Sequence, residues 1–414
     1  MPVFDRAKAV YADWGVDVEA AIQKAISVPI SIHCWQADDV SGFEVHEGAT
    51  DSGGIMATGN YPGRARNGDE LRQDYDRVLS LVPGVHRANL HAIYAETNGQ
   101  SVGRDELEVD HFARWIDWAK HHGIKLDFNP TYFAHPNASS GYTLSSADPE
   151  IQSFWIRHGI VCRNIASGMA QELGGECVIN HWIPDGAKDA TVDRWGPRKR
   201  LIEAYDEILN DPLDGCTDAV ESKLFGLGSE DYVVGSFEFY LSYSLARKVI
   251  FCLDMGHFHP TETIADKLSS ILQFQERVLL HTSRPMRWDS DHVVLYSDDL
   301  KNVFTELTRG QALDRAIIAL DFFDASINRI GAYVVGIRST RKAILNALLE
   351  PTAQLQTLEL HAKNAQKLAL LEEAKTLPFG AIWDELCLRG GVPVGKAWID
   401  EMETYETNVL SNRV

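Results

Sequence analysis

Eight short apolar runs rich in Val, Ile and Leu recur along the chain, each followed by a longer segment in which apolar positions return at helical spacing. The runs are Val28 to Trp35, Arg87 to Ile93, Ile124 to Asn129, Cys177 to Ile183, Ala219 to Phe225, Val249 to Asp254, Arg277 to His281 and Ala316 to Asp321. Short runs of this kind predict buried strands, and the longer segments predict amphipathic helices. Helix candidates include DELRQDYDRVLSLV from Asp69, HFARWIDWAKHHG closed by Gly123 as a C-cap, and TETIADKLSSILQF with Thr261 as N-cap. Strands separated by helices pair in parallel, and eight of them predict a closed (β/α)8 TIM barrel of the α/β class. A doubly wound open sheet is the competing architecture. From about Gly336 the pattern is helical only, so residues 1–335 are expected to form the barrel and 336–414 a helical extension packed on the barrel or on a neighbouring subunit.

Composition narrows the functional classes. The 414 residues carry 45% hydrophobic and 24% charged side chains, an ordinary globular balance. A net charge of −20 argues against phosphate backbones and anionic membranes, both of which require a basic face. No apolar run is long enough to span a membrane, and the start MPVFDRAKAV lacks the pattern of a secretory signal. Cys34, Cys162, Cys177, Cys216, Cys252 and Cys387 show no paired short spacing and read as reduced thiols in a cytoplasmic protein.

Barrel enzymes place their chemistry at the C-terminal ends of the strands, where the βα loops converge. Glu221, Asp254, His281 and Asp324 fall in or after four consecutive runs. His257 follows Asp254, and Asp289 and Asp291 lie one residue apart in RWDSDH. Taken singly, a strand-end Asp is often a helix cap and a strand-end His a core group. Two like charges as close as Asp289 and Asp291 call for screening by water, as in a solvated acidic turn, or for a cation between them; taken together, five carboxylates and two imidazoles exceed the needs of one ion and favour the cation. Two divalent ions are therefore expected. The donor set suits Mn²⁺, Mg²⁺ or Co²⁺ better than a structural zinc.

The segments SIHCWQADDVSGFE, NLHAIYAE, NHWIPDGAKD, VESKLFGLG, CLDMGHFHPTE, SRPMRWDSDHV and LDFFDASINRI, with LLEPTAQL in the tail, resemble the L-rhamnose isomerase family in its enterobacterial and Bacillus-type branch. The resemblance implies a homotetramer of (β/α)8 barrels that uses two divalent ions, usually manganese. It implies that Glu221, Asp254, His281 and Asp324 hold a structural ion and that His257, Asp289 and Asp291 hold a catalytic one. The implied reaction converts L-rhamnose to L-rhamnulose by a hydride shift between C2 and C1, with water on the ion relaying a proton between the oxygens. A base-generated ene-diol is the competing route.

Lys223, two residues after Glu221, is expected on the same side of the strand, where it could donate to the carbonyl oxygen. His91 resembles the family histidine that contacts the sugar, and Asp324 joins Lys223 and His91 among the expected catalytic groups. Trp35 and Trp182 would wall the apolar side of a deoxy sugar. Phe43, in the long first loop Ala37 to Asn67, would cover a neighbouring subunit's site. GGVPVGKA, Gly390 to Ala397, imitates a phosphate loop but has no preceding strand and ends in Ala397 where a hydroxyl is needed, so it predicts a turn. GLGSED from Gly226 lacks the third glycine of a dinucleotide fingerprint. Two other functions compete: a two-metal TIM-barrel hydrolase or phosphodiesterase, and a non-catalytic sugar-binding protein.

Overall fold

A computed structural model describes residues 2–44, 55, 57–284, 286 and 292–413. Each of the eight apolar runs overlaps one barrel strand, five of them enclosing it and the second, fifth and seventh offset from it by one to three residues: β1 (Ile30–His33), β2 (His86–His91), β3 (Lys125–Asn129), β4 (Cys177–His181), β5 (Cys216–Glu221), β6 (Ile250–Asp254), β7 (Val278–Thr282) and β8 (Ala316–Leu320). All neighbours are parallel, and β1 pairs with both β2 and β8, so the sheet closes and the doubly wound alternative is excluded. Closure buries both faces of every strand, which is why the strands appear in the sequence as near-continuous apolar runs. The outward faces join the helices in one large core, while Val178, Ala219, Cys252, Leu279, Ile317 and Ala319 fill the barrel interior.

These interior residues set the direction of everything at the barrel mouth. Side chains alternate along a strand, so a residue two positions further on also points inward. Val178, Ala219, Cys252, Leu279 and Ala319 are thus each followed at that spacing by Asn180, Glu221, Asp254, His281 and Asp321.

Helix Ala113–His122 ends at Gly123 in the left-handed conformation, as expected, and the helix expected from Asp69 runs Gly68–Leu79, capped by Asn67, whose side chain accepts from Glu70 N. Helix Ala265–Ile271 starts later than expected, and Thr261 does not cap it. The Thr261 hydroxyl bonds instead to His259 Nδ1 at 2.7 Å, a local turn that competes with capping.

Gly336, where the helical region was expected to begin, lies inside helix Arg329–Leu348, which packs against helices Asp298–Arg309, Val18–Ser27 and Gly68–Leu79. A Cβ at Gly336 would meet the Phe322 ring, so the glycine lets that helix approach the β8 loop. Within the same helix the fully buried Arg341 donates to the carbonyls of Ala25, Val28 and Val85 and pins the entrance to β1.

Four further helices follow: Thr352–Leu360, Asn364–Ala374, Phe379–Arg389 and Ala397–Asn408. The last two return to the same chain's barrel. Arg389 pairs with Glu19 at 2.6 Å, while Tyr405 and Arg413 converge on the buried Asp74 at 2.7 Å. Gly390 to Ala397 forms the turn between them, as its sequence suggested. All six cysteines are free thiols, and no helix of the described residues is long and apolar enough to cross a membrane.

Candidate metal and sugar site

Strands β5 to β8 bring Glu221, Asp254, His281 and Asp321 together, with one ligand atom from each lying within 4.8 Å of the others. His281 Nδ1 is the centre. It stands 3.3 Å from Glu221 Oε2, 3.4 Å from Asp254 Oδ2 and 3.2 Å from Asp321 Oδ2. Glu221 Oε1, Asp254 Oδ2 and both His281 ring nitrogens are buried without a hydrogen bond. Three carboxylates facing one imidazole, close but not hydrogen-bonded, form a donor set that a divalent cation would satisfy.

The surrounding side chains hold these donors in place. Asn180 Nδ2 donates to Glu221 Oε2, Ser283 Oγ donates to Asp254 Oδ1 at 2.7 Å, and Trp35 Nε1 donates to Asp321 Oδ1 at 2.9 Å. The local electrostatics are tightly opposed. Burial pushes the Glu221 carboxyl up, but His281 and His257 outweigh it and hold the group below its usual range. Burial drives Asp321 up despite its contact with His281. On His281, burial is outweighed by the surrounding Cys252, Glu221, Asp254 and Asp321, which raise the imidazole well above its ordinary value.

The eighth-strand carboxylate in this quartet is Asp321, not Asp324. β8 ends at Leu320, and Ala319 fills the interior, so alternation aims Asp321 at the axis. By Asp324 the chain has turned, and its Oδ1 accepts from Ser326 N at 2.8 Å and from Ser326 Oγ at 2.5 Å. Asp324 still lines the adjoining cavity.

His257 follows β6 in the single turn Met255–His257, and its Nδ1 stands 2.9 Å from Glu221 Oε1, on the opposite side of that carboxylate from His281. Asp289 and Asp291 lie outside the described residues.

A cavity of about 380 Å³ opens above the quartet, walled by Trp35, His91, Phe133, Trp182 and Lys223. Lys223 is 5% exposed, and its ammonium lies 4.8 Å from the centre of the Trp182 ring. That indole is therefore occupied by a cation on one face. His91 bonds through Nδ1 to Thr131 Oγ1 at 3.1 Å and stands edge-on to Trp35 at 4.7 Å. Burial first, and the Arg104 charge second, push its imidazole down to about 3, so it is neutral at working pH. Phe43 is not among the cavity-lining residues. Its amide donates to Ile93 O at 2.8 Å, and its ring stands edge-on to Tyr94 at 5.4 Å, within the same chain.

The turn that carries Val40 to the cavity rim contains a titratable anchor. Asp38 is buried and accepts from Tyr94 OH at 2.7 Å and from Gly42 N at 2.8 Å, while Asp39 and Val40 both adopt left-handed φ values of 58° and 59°. Burial lifts the Asp38 carboxyl to about 7 against those two donors. A carboxyl raised in the fold holds its proton there over a pH range where the unfolded chain has lost it, so its stabilisation is present below about pH 4 and disappears as pH rises through about 7. Asp38→Asn keeps the shape without the titration. Its melting temperature relative to the parent is expected to rise between pH 5 and pH 8; an offset independent of pH would contradict this.

Sequence comparison bears on these observations. The L-rhamnose isomerase (RhaA) family model matches residues 2–413. The chain is 53% identical over 412 residues to an L-rhamnose isomerase of Rhodopirellula baltica, covering 99% of this chain and 96% of that protein. It is 54% identical over 413 residues to one from Mannheimia succiniciproducens (99% and 98% covered) and 52% identical over 412 residues to one from Yersinia pseudotuberculosis (99% and 98% covered).

Proposed function

The chain belongs to the L-rhamnose isomerase family, and from that premise we propose that it is an intramolecular oxidoreductase interconverting L-rhamnose and L-rhamnulose with the help of two divalent ions. The observation that carries this reading is the convergence of Glu221, Asp254, His281 and Asp321 beside an aromatic-walled cavity containing a buried lysine. Those four residues would hold one ion. His257 would hold the second together with Asp289 and Asp291, whose close spacing suits a shared cation. When bound, divalent cations of the Mn²⁺, Co²⁺ or Mg²⁺ type polarise the O1 and O2 oxygens of the open-chain sugar as Lewis acids.

The protein's own groups then have distinct tasks. The Lys223 ammonium, fixed over Trp182, donates to the carbonyl oxygen as negative charge develops there. Neutral His91, oriented by Thr131, contacts the sugar without adding a positive charge. Trp35 and Phe133 exclude water from the methyl end, while Trp35 also steadies Asp321. In the balanced step the C2–H bond breaks with its electron pair, a C1–H bond forms, O1 gains a proton and O2 loses one. Leu360 and Leu368, 83% and 61% exposed, offer apolar surface for assembly into the expected homotetramer.

The test uses L-rhamnose deuterated at C2 and purified protein supplied with Mn²⁺, Co²⁺ or Mg²⁺. L-rhamnulose carrying the deuterium on C1 is expected. Ketose formed with the label washed out to solvent would replace the hydride shift by the ene-diol route, and absence of ketose with every ion would overturn the assignment.

A further inference from the structure

Two buried amides that line the cavity carry side-chain carbonyl oxygens with no assigned role. Asn129 ends β3 and Asn180 is the fourth residue of β4; each is 4% exposed and lines the cavity. Asn129 Nδ2 reaches Asn89 Oδ1 at 3.4 Å, and Asn180 Nδ2 donates to Glu221. Both side-chain carbonyl oxygens are left buried with no hydrogen bond. Among the described cavity-lining residues, the only other buried amide or carboxylate oxygen in that condition is Glu221 Oε1, which faces His257.

Their placement follows from the strand order. In a closed ring of eight strands, β3 stands opposite β7 and β4 opposite β8, so Asn129 lies across the barrel from His281 and Asn180 across from Asp321. A sugar whose C1 and C2 oxygens sit at the quartet extends its remaining hydroxyls toward that opposite arc. The cavity's carboxylates are committed elsewhere: Asp321 to Trp35 and His281, Asp324 to Ser326, and Glu221 to Asn180 and the histidines. A buried carbonyl oxygen without a donor is destabilising unless a ligand satisfies it. A hydroxyl is such a donor. Trp182 Nε1, also buried and without a partner, adds a complementary donor to the same wall.

We propose that Asn129 and Asn180 form an acceptor pair whose carbonyl oxygens receive hydrogen bonds from the substrate hydroxyls remote from the reacting carbons, and so set which aldoses are accepted. This rests on the isomerase reading of the site. Asn180 has a second task, because its Nδ2 also orients Glu221. Asn129 makes no hydrogen bond to a member of the quartet. The two substitutions should therefore differ in kind, with Asn129→Ala acting on KM and Asn180→Ala acting on both KM and ion retention.

The test crosses each alanine variant with L-rhamnose and its 3-deoxy, 4-deoxy and 5-deoxy analogues, recording kcat, KM and bound metal. For Asn129→Ala, KM for L-rhamnose is expected to rise roughly three- to tenfold with kcat and metal content unchanged. One deoxy analogue should lose that factor on the parent protein and not on the variant. Equal losses from every analogue on parent and variant would overturn the proposal, as would a fall in kcat and metal content without a change in KM. Should the alanine variants not fold, Asn129→Ser and Asn180→Ser carry the same cross. Should the parent fail on L-rhamnose itself, the isomerase assignment fails first, and the cross is repeated on whichever aldose the protein does bind.

Discussion

Alanine at Glu221 is expected to lower aldose to ketose conversion by about a thousandfold or more and to strip the protein of divalent ion during dialysis. Glu221 holds a central position among the imidazoles, 2.9 Å from His257 Nδ1 and 3.3 Å from His281 Nδ1, so its removal takes a carboxylate from both. It is 2% exposed, and its removal leaves Asn180 Nδ2 and the two histidines without the carboxylate they share. Loss of several kcal/mol of charge stabilisation at the reacting oxygens corresponds to the stated factor. Metal content separates this effect from unfolding, since a folded, metal-free variant is the expected product. A companion pair tests the eighth strand: Asp321→Ala should behave like Glu221→Ala, whereas Asp324→Ala should retain the ion and fall in rate by roughly tenfold at most, as befits a carboxylate occupied by Ser326. A Glu221→Ala protein with full metal content and full rate would place the ions elsewhere.

The contrast between Asp321 and Asp324 shows what hydropathy along the chain can and cannot specify. A parallel strand in a closed barrel is apolar on both faces, so β1 to β8 stand out as runs without any knowledge of pairing. Asp254 and His281 are legible because each ends its run, and Glu221 because it is a carboxylate inside the fifth run; in the fold each ends or nearly ends its strand. Choosing between Asp321 and Asp324 needs the direction of Ala319, which depends on where the strand stops and which side chains fill the interior. Thr261 failed as a cap for a related reason: His259 offers its hydroxyl a nearer partner than the helix does. Asn129 and Asn180 gave no signal at all, because a buried asparagine in a strand becomes meaningful only when its carbonyl is found without a donor.

Replacing Lys223 by methionine is expected to lower kcat by about a hundred- to a thousandfold, with KM within threefold of the parent and metal content intact. The residue leaves β5 just beyond Glu221, and alternation turns it to the same side. Its amide donates to Gly235 O at 3.0 Å, which fixes the backbone from which the side chain projects. The ammonium lies over Trp182 in a nearly dry wall, so its charge is weakly screened and acts strongly on an oxygen that becomes anionic during reaction. Methionine keeps the apolar stem and its packing while deleting the charge, which isolates the electrostatic contribution.

A second substitution checks position and charge separately. A Cβ at Gly226 would collide with the Lys223 Nζ and Cε, so Gly226→Ala displaces the ammonium without removing it. Its rate should fall between those of the parent and Lys223→Met, with bound metal unchanged. A Lys223→Met enzyme whose KM rose while kcat held would assign the lysine to ground-state sugar binding instead of to the developing charge.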